Sequence, residues 1–204
     1  TIVGQLTKTD AGNPQVQMLN SMLMVNTGKI DDAYALMKKS AKDNPNSVAV
    51  QLLLSKVAMA KGDAAAGQAS LQQADKLNPG NIEASSGLAQ LAIGRNDAAA
   101  LTEISSKTIQ LHPEYLIAYV WRGMAEASRK EYDKAEADYQ FVLKRNPNAS
   151  VAYLELAQIR VAQGKASEAQ TLLQTALDKD PNSSRSLGML SAYDMQAKQP
   201  AKAI

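Results

Sequence analysis

Residues 114–147 read EYLIAYVWRGMAEASRKEYDKAEADYQFVLKRNP, which is two short amphipathic segments followed by a proline. This proline belongs to a regular series in which each member lies 34 residues after the previous one: Pro45, Pro79, Pro113, Pro147 and Pro181. A fixed period of this length is typical of repeat arrays, in which one supersecondary unit recurs and packs on its neighbours. The sequence therefore predicts a repeat architecture.

The prolines also set the repeat boundaries. With the proline at repeat position 32, the chain contains repeats 14–47, 48–81, 82–115, 116–149 and 150–183, followed by a partial repeat 184–204. Residues 1–13 align with the end of a repeat and predict the remnant of a second helix from a preceding one. No polar cap closes either end, although such arrays normally need one for solubility. We therefore expect a window of a longer array rather than a natural end.

Small residues recur where two helices of a repeat would approach closely. Position 8 is always small (Ser21, Ser55, Ala89, Gly123, Ala157, Ser191), and position 20 is small in every copy except the third, which has Leu101. Position 15 offers a helix stop at Gly28, Gly62, Asn96 and Gly164, with weaker stops at Lys130 and Lys198. The proline ends the second helix because it has no backbone N–H to donate. Each repeat is therefore predicted to be a pair of helices.

These features resemble the tetratricopeptide repeat, whose pattern has small residues at positions 8, 20 and 27, large apolar residues at 7 and 24, and proline at 32. The resemblance covers essentially the whole chain. It implies an all-α fold, a right-handed superhelical solenoid of antiparallel helix pairs whose first helices line the concave side. Repeat 82–115 is degenerate, because Leu101 and Ser105 depart from the pattern. We expect its helix pair to pack less regularly.

Composition argues against catalysis. The chain has no Cys and one His, His112, which lies beside Pro113 at a predicted turn and is better explained as a turn residue. No phosphate-binding glycine loop is present. We therefore predict no enzyme, no catalytic residue, no metal site and no cofactor. The net charge is +2, and the absence of a basic block or a long apolar run predicts neither nucleic-acid binding nor a membrane span.

Positions 2, 5, 9 and 12 of the first helix fall on one stripe, since steps of three or four residues return to the same helix face. At positions 5, 9 and 12 this stripe carries a single charged residue, Lys56, and five methionines, which favour adaptable apolar recognition. Two interpretations stay open: the stripe is a binding groove, or the adjoining repeat covers it. The candidate partner-binding residues are Met18, Met22, Val25, Leu52, Lys56, Met59, Gln90, Val120, Trp121, Met124, Leu154, Gln158 and Val161.

Repeat 116–149 has two further features. Trp121, the only tryptophan, is either an interface anchor or a packing residue between repeats. Arg122, Glu126 and Arg160 occupy positions that are normally apolar, and we expect them to form a polar network across repeats 116–149 and 150–183.

The sequence thus predicts a non-enzymatic protein-protein interaction module that binds an apolar peptide or helical segment in the concave groove. The alternative is a structural or oligomerising scaffold segment of a larger bacterial protein of the envelope or of polysaccharide export. The composition leans towards the bacterial periplasm or cell envelope without fixing the compartment. Exposed apolar ends predict end-to-end self-association of the array.

Overall fold

The computed structural model describes residues 12–198, which form eleven α-helices and, within that range, no strand. The helices are α1 Pro14–Asn26, α2 Ile30–Asp43, α3 Val48–Lys61, α4 Ala64–Leu77, α5 Ile82–Gly94, α6 Ala98–Leu111, α7 Ile117–Ser128, α8 Tyr132–Arg145, α9 Ser150–Ala162, α10 Ala166–Lys179 and α11 Ser184–Lys198. The remnant helix predicted before residue 12 and the start of a second helix at residues 200–204 lie outside the described residues.

The chain divides into two compact units, residues 1–95 and residues 96–204. Unit 1 contains α1 to α5 and unit 2 contains α6 to α11. The division falls inside repeat 82–115, between its two helices, in the copy whose Leu101 and Ser105 depart from the repeat pattern. In the other four complete repeats both helices belong to the same unit.

Within each unit, every helix packs against the next one along the chain, and the connections are short. Connections of this length join antiparallel neighbours. Position 8 is buried from Ser21 to Ala157, and so is position 20, including the larger Leu101. The predicted all-α fold of helix pairs is therefore confirmed. None of the helices between residues 12 and 198 combines the length and hydropathy that a membrane span requires.

Glycine at position 15 allows the sharp turn between the two helices of a pair. Gly28, Gly62 and Gly164 have φ between 73° and 85°, a left-handed conformation that a Cβ atom disfavours. Asn96 and Lys130 adopt the same conformation, with φ of 53° and 63°. Lys130, which the sequence marks as a weak stop, therefore ends its helix in the same way as the glycines.

Candidate functional site

The thirteen candidate partner-binding residues separate by burial. The three position-5 residues Leu52, Val120 and Leu154 are buried in the cores of their units. Met18 is half-buried and packs against the core cluster that includes Val50 and Met37. The four predicted residues at position 5 are therefore covered at least in part by neighbouring helices, which is the interpretation that the sequence left open beside the groove.

Position 9 and its neighbours line two adjoining pockets in unit 1. The larger pocket, of about 510 Å³, lies between α3 and α5. Leu71 of α4 lies at this pocket, whose lining is Ser55, Lys56, Met59, Leu71, Glu83, Ser86, Gly87, Gln90 and Leu91. Three of these residues, Lys56, Met59 and Gln90, are among the thirteen candidate partner-binding residues.

The smaller pocket, of about 190 Å³, lies between α1 and α3. Its lining residues are Met22, Val25, Asn26, Leu53, Lys56 and Val57. Met22 is 52% exposed, an unusual position for a large apolar side chain. Because Lys56 lines both pockets, they adjoin across α3, and we call the two together the unit-1 groove.

An exposed ion pair crosses this groove. Lys56 Nζ lies 2.6 Å from Glu83 Oε1, and their side chains are 66% and 50% exposed. The pair joins position 9 of α3 to position 2 of α5. Since solvent screens both groups, it contributes little to the free energy of unfolding, about 0–1 kcal/mol by analogy with other surface pairs.

The corresponding surface of unit 2 is filled by its own side chains. Trp121 is buried and meets the Tyr115 ring edge-on, with ring centroids 5.8 Å apart, which favours packing over an exposed anchor. Met124 is half-buried against the core cluster around Tyr139. Val161, which is 38% exposed, is the one unit-2 candidate with an exposed large apolar side chain. The stripe therefore forms no comparably open apolar surface at Trp121 and Met124.

Unit 2 has a buried carboxylate at the place where unit 1 has its exposed ion pair. Glu155 is only 5% exposed, and Arg185 Nη1 donates to its Oε1 over 2.7 Å. Gln158, a predicted site residue, donates to Glu155 Oε2 over 3.0 Å and accepts from Arg185 Nη2 over 3.2 Å. Burial raises the pKa of Glu155 above its usual range, although the Arg185 charge opposes that shift. These contacts tie α9 to α11.

The predicted polar residues form two separate groups, one around Arg122 and one in which Arg160 binds both Glu136 and Glu168. Arg122 makes two 2.7 Å hydrogen bonds to Asp138 within one repeat, while Arg160 binds Glu136 and thereby joins α9 to α8. Glu126 Oε2 is buried and has no hydrogen-bond partner within the described residues. Burial is also the main reason that the pKa of Glu126 is raised. Arg160 therefore makes the expected contact across the two repeats, whereas Arg122 pairs within its own repeat and Glu126 Oε2 bonds to neither arginine.

Sequence reasoning missed several groove residues. Glu83 is at position 2, on the same helical stripe as positions 5, 9 and 12, so the period itself could have found it. Gly87 at position 6 carried no apolar signal, because its contribution is the absence of a side chain. Leu71 comes from a second helix, on which no groove residue was sought.

Within residues 12–198, no group of three or more His, Asp or Glu side chains is arranged to hold a metal ion. The chemistry of the groove is instead that of an apolar surface with a few polar groups. Such a lining suits the side chains of a peptide, with the polar groups fixing its orientation.

Known proteins show a clear likeness to this chain. Models of the tetratricopeptide repeat match residues 86–150 and 126–193, and so together span more than half of the chain. The solved structure of MamA is similar, with 26% identity, a TM-score of 0.66, and coverage of 79% of this chain and 94% of MamA. A search of curated protein sequences finds no significant match.

Two further solved structures are similar over most of their length. YrrB, described as a tetratricopeptide repeat protein with an unusual peptide-binding site, has 13% identity, a TM-score of 0.68, and coverage of 94% of this chain and 98% of YrrB. PilW, described as a widely conserved type IV pilus biogenesis factor, has 19% identity, a TM-score of 0.68, and coverage of 93% of this chain and 95% of PilW. At these identities the likeness is one of fold.

Proposed function

Since the chain belongs to the tetratricopeptide repeat family, we propose that it is a protein-protein interaction module that binds an apolar peptide or helical segment of a partner in the unit-1 groove. The family consists generally of non-catalytic interaction modules. The observation that carries the proposal is the pair of adjoining apolar pockets, which Met22, Val25, Lys56, Met59 and Gln90 help to line.

The spacing of the pockets suits a regular peptide. They lie on either side of α3, and neighbouring helices pack about 8–10 Å apart. Residues seven apart on an α-helix are separated by about 10.5 Å, and residues three apart on a polyproline II segment, which fall on one face, by about 9 Å. One apolar side chain in each pocket therefore matches an i, i+7 pair of a helix or an i, i+3 pair of an extended segment of the polyproline II type.

The larger pocket has room for a big side chain because position 6 of α5 is glycine. A Cβ atom at Gly87 would lie 2.8 Å from Leu71 Cδ1, so even one added carbon would narrow the space. Leu, Phe or Met in each pocket would bury apolar area on both partners, which supplies the favourable free energy of binding. The description of YrrB as peptide-binding supports the same class of ligand for this chain.

Binding is tested with the full 204-residue chain carrying [13C]methyl methionine. The probes are 16-residue peptides, acetylated and amidated, with Leu at positions 5 and 12 of an Ala/Gln helix, and a matched extended peptide with leucines three residues apart. We expect NMR shifts of the Met22 and Met59 methyl groups and smaller ones at Met37, which is fully buried and lines neither pocket. Absence of shifts with both peptides, or equal shifts at Met37, would contradict the proposal.

A substitution then tests the location of binding. Met22→Glu replaces an exposed apolar contact of the smaller pocket, and the loss of about 1.4 kcal/mol of apolar burial corresponds to about tenfold weaker binding. Leu19→Glu is the matched control, because Leu19 is also on α1, is 42% exposed, and lines neither pocket. Equal losses of affinity in the two variants would place the peptide elsewhere.

A further inference from the structure

Charge is scarce on the first helices of unit 1. Helix α1 has no charged residue, α3 has Lys56 and Lys61, and α5 has Glu83 alone. Lys61 is directed to α2, where its Nζ lies 2.7 Å from Asp31 Oδ1 and 4.9 Å from the centre of the Tyr34 ring. Among residues 12–198, Lys56 and Glu83 are therefore the only charged residues that line the unit-1 groove.

The two charges are placed asymmetrically. Lys56 lines both pockets, whereas Glu83 lines only the larger one. At the smaller pocket the other lining residues of the described chain are neutral. At the larger pocket Glu83 lies 2.6 Å from Lys56 and compensates its charge. Among the described lining residues, a carboxylate therefore offsets the Lys56 charge on the α5 side and none does so on the α1 side.

Lys56 also retains hydrogen-bonding capacity. An ammonium group has three N–H donors, and Glu83 Oε1 accepts from this one in an exposed geometry. A second carboxylate can approach from the α1 side without displacing Glu83, and its binding would displace little ordered structure because solvent already reaches Lys56.

We propose, on the basis of the proposed function, that the partner segment carries an Asp or Glu side chain between its two apolar side chains. This carboxylate lies nearer the apolar side chain that occupies the smaller pocket. Lys56 Nζ donates to this carboxylate. The larger pocket takes an uncharged apolar side chain, because Glu83 and Lys56 cancel there. Lys56 is thus the residue that selects for charge in the partner, and the ligand class is an acidic-apolar segment.

The test compares three capped helical peptides with Leu at positions 5 and 12 and with Glu, Gln or Lys at position 8, three residues from one leucine and four from the other. Dissociation constants come from the Met22 methyl shifts at low ionic strength. The Glu peptide should bind about threefold tighter than the Gln peptide, the size expected for an exposed ion pair, and the Lys peptide should bind weakest. Raising the salt concentration to 1 M should abolish the difference through screening.

The paired substitution Lys56→Glu with Glu83→Lys is the control, because it keeps the ion pair and reverses its direction. The Lys peptide should then bind tightest. Equal affinities of the Glu and Gln peptides for the unaltered protein, or the same order of preference in the exchanged variant, overturn this inference alone. Absence of binding by all three peptides overturns both this inference and the assignment of the groove.

Discussion

The first helices of the two units follow one repeat pattern yet present different surfaces. In both units, position 9 of one first helix contacts position 2 of the next, through Lys56–Glu83 in unit 1 and Gln158–Arg185 in unit 2. The unit-1 contact is exposed at both ends. The unit-2 contact is anchored on the buried Glu155. Equivalent positions therefore form an open polar crossing in one unit and a structural tie in the other.

Position 6 and position 24 account for much of this difference. Unit 1 places Gly87 at position 6 and Leu71 at position 24, which leaves space between α3 and α5. Unit 2 places Trp121 and Glu155 at position 6 and the fully buried Tyr139 at position 24. The repeat thus fixes where helices pack, while the side chains at these two positions contribute to how open the surface is between α3 and α5.

The largest effect is expected from Gly123→Ala in unit 2. A Cβ atom there would lie 2.5 Å from Cε1 and 2.8 Å from Cζ of the Tyr139 ring, which is rigid and fully buried. Overpacking of this kind outweighs the better helix propensity of alanine, and we expect a loss of about 2–3 kcal/mol in the free energy of unfolding. Urea denaturation followed by the fluorescence of Trp121, which lies in unit 2, measures it.

Gly87→Ala in unit 1 is the matched control. Its Cβ atom would meet the tip of the Leu71 side chain, which can move into the adjoining pocket. Helix propensity then offsets the crowding, and the free energy of unfolding should stay within about 1 kcal/mol of the original. Equal losses in the two variants, read by far-ultraviolet circular dichroism, would show that the first-helix surfaces are equally filled.

The sequence predicted the helix pairs well because they depend on local and repeated signals. Proline at position 32 ends the second helix through its missing N–H, and the small residues at positions 8 and 20 are needed wherever two helices touch. Leu101 and Ser105 indicated that the degenerate repeat packs irregularly, but they did not predict that the chain divides between residues 95 and 96. The 34-residue period alone does not determine how a repeat packs when its residues depart from the pattern.

The candidate site was predicted less completely, because a helical stripe shows which residues share a face and not what covers them. Met22 and Leu52 lie on the same stripe, yet the first is exposed and the second buried. Burial depends on the neighbouring helix and on residues such as Gly87 and Tyr139, which belong to other positions. Of the predicted residues, Lys56 and Met59 therefore lie at a pocket and Val120 and Leu154 are buried, while their part in binding stays a prediction.

The next largest effect is expected from Arg185→Ala, which removes the cation paired with Glu155. The buried carboxylate would lose its strongest partner, although Arg185 itself is 51% exposed, so we expect a loss of about 1.5 kcal/mol in the free energy of unfolding at pH 7. Burial already raises the folded-state pKa of Glu155, and loss of Arg185 raises it further. A raised acid pKa favours the folded state at low pH and opposes it as pH rises through that pKa.

The loss caused by Arg185→Ala should therefore shrink towards pH 4, where Glu155 becomes protonated, and grow towards pH 7. Thermal or urea unfolding at the two pH values checks this dependence. The double variant with Glu155→Gln removes the buried charge and should recover most of the lost stability without the pH dependence. An equal loss at pH 4 and pH 7 would show that Arg185 acts by packing rather than by pairing with the carboxylate.

The smallest effect is expected from Lys56→Ala, the unit-1 counterpart of that experiment. Lys56 and Glu83 are both largely exposed, and removing one partner leaves the other hydrated. The free energy of unfolding should change by no more than about 0.5 kcal/mol and should show no added pH dependence between pH 4 and pH 7. Urea unfolding of the Lys56→Ala and Arg185→Ala variants under the same conditions compares the two losses in free energy of unfolding. A loss as large as that of Arg185→Ala would mean that the exposed pair holds α3 to α5 as Glu155 holds α9 to α11, and the groove could not then be open to a partner at Lys56.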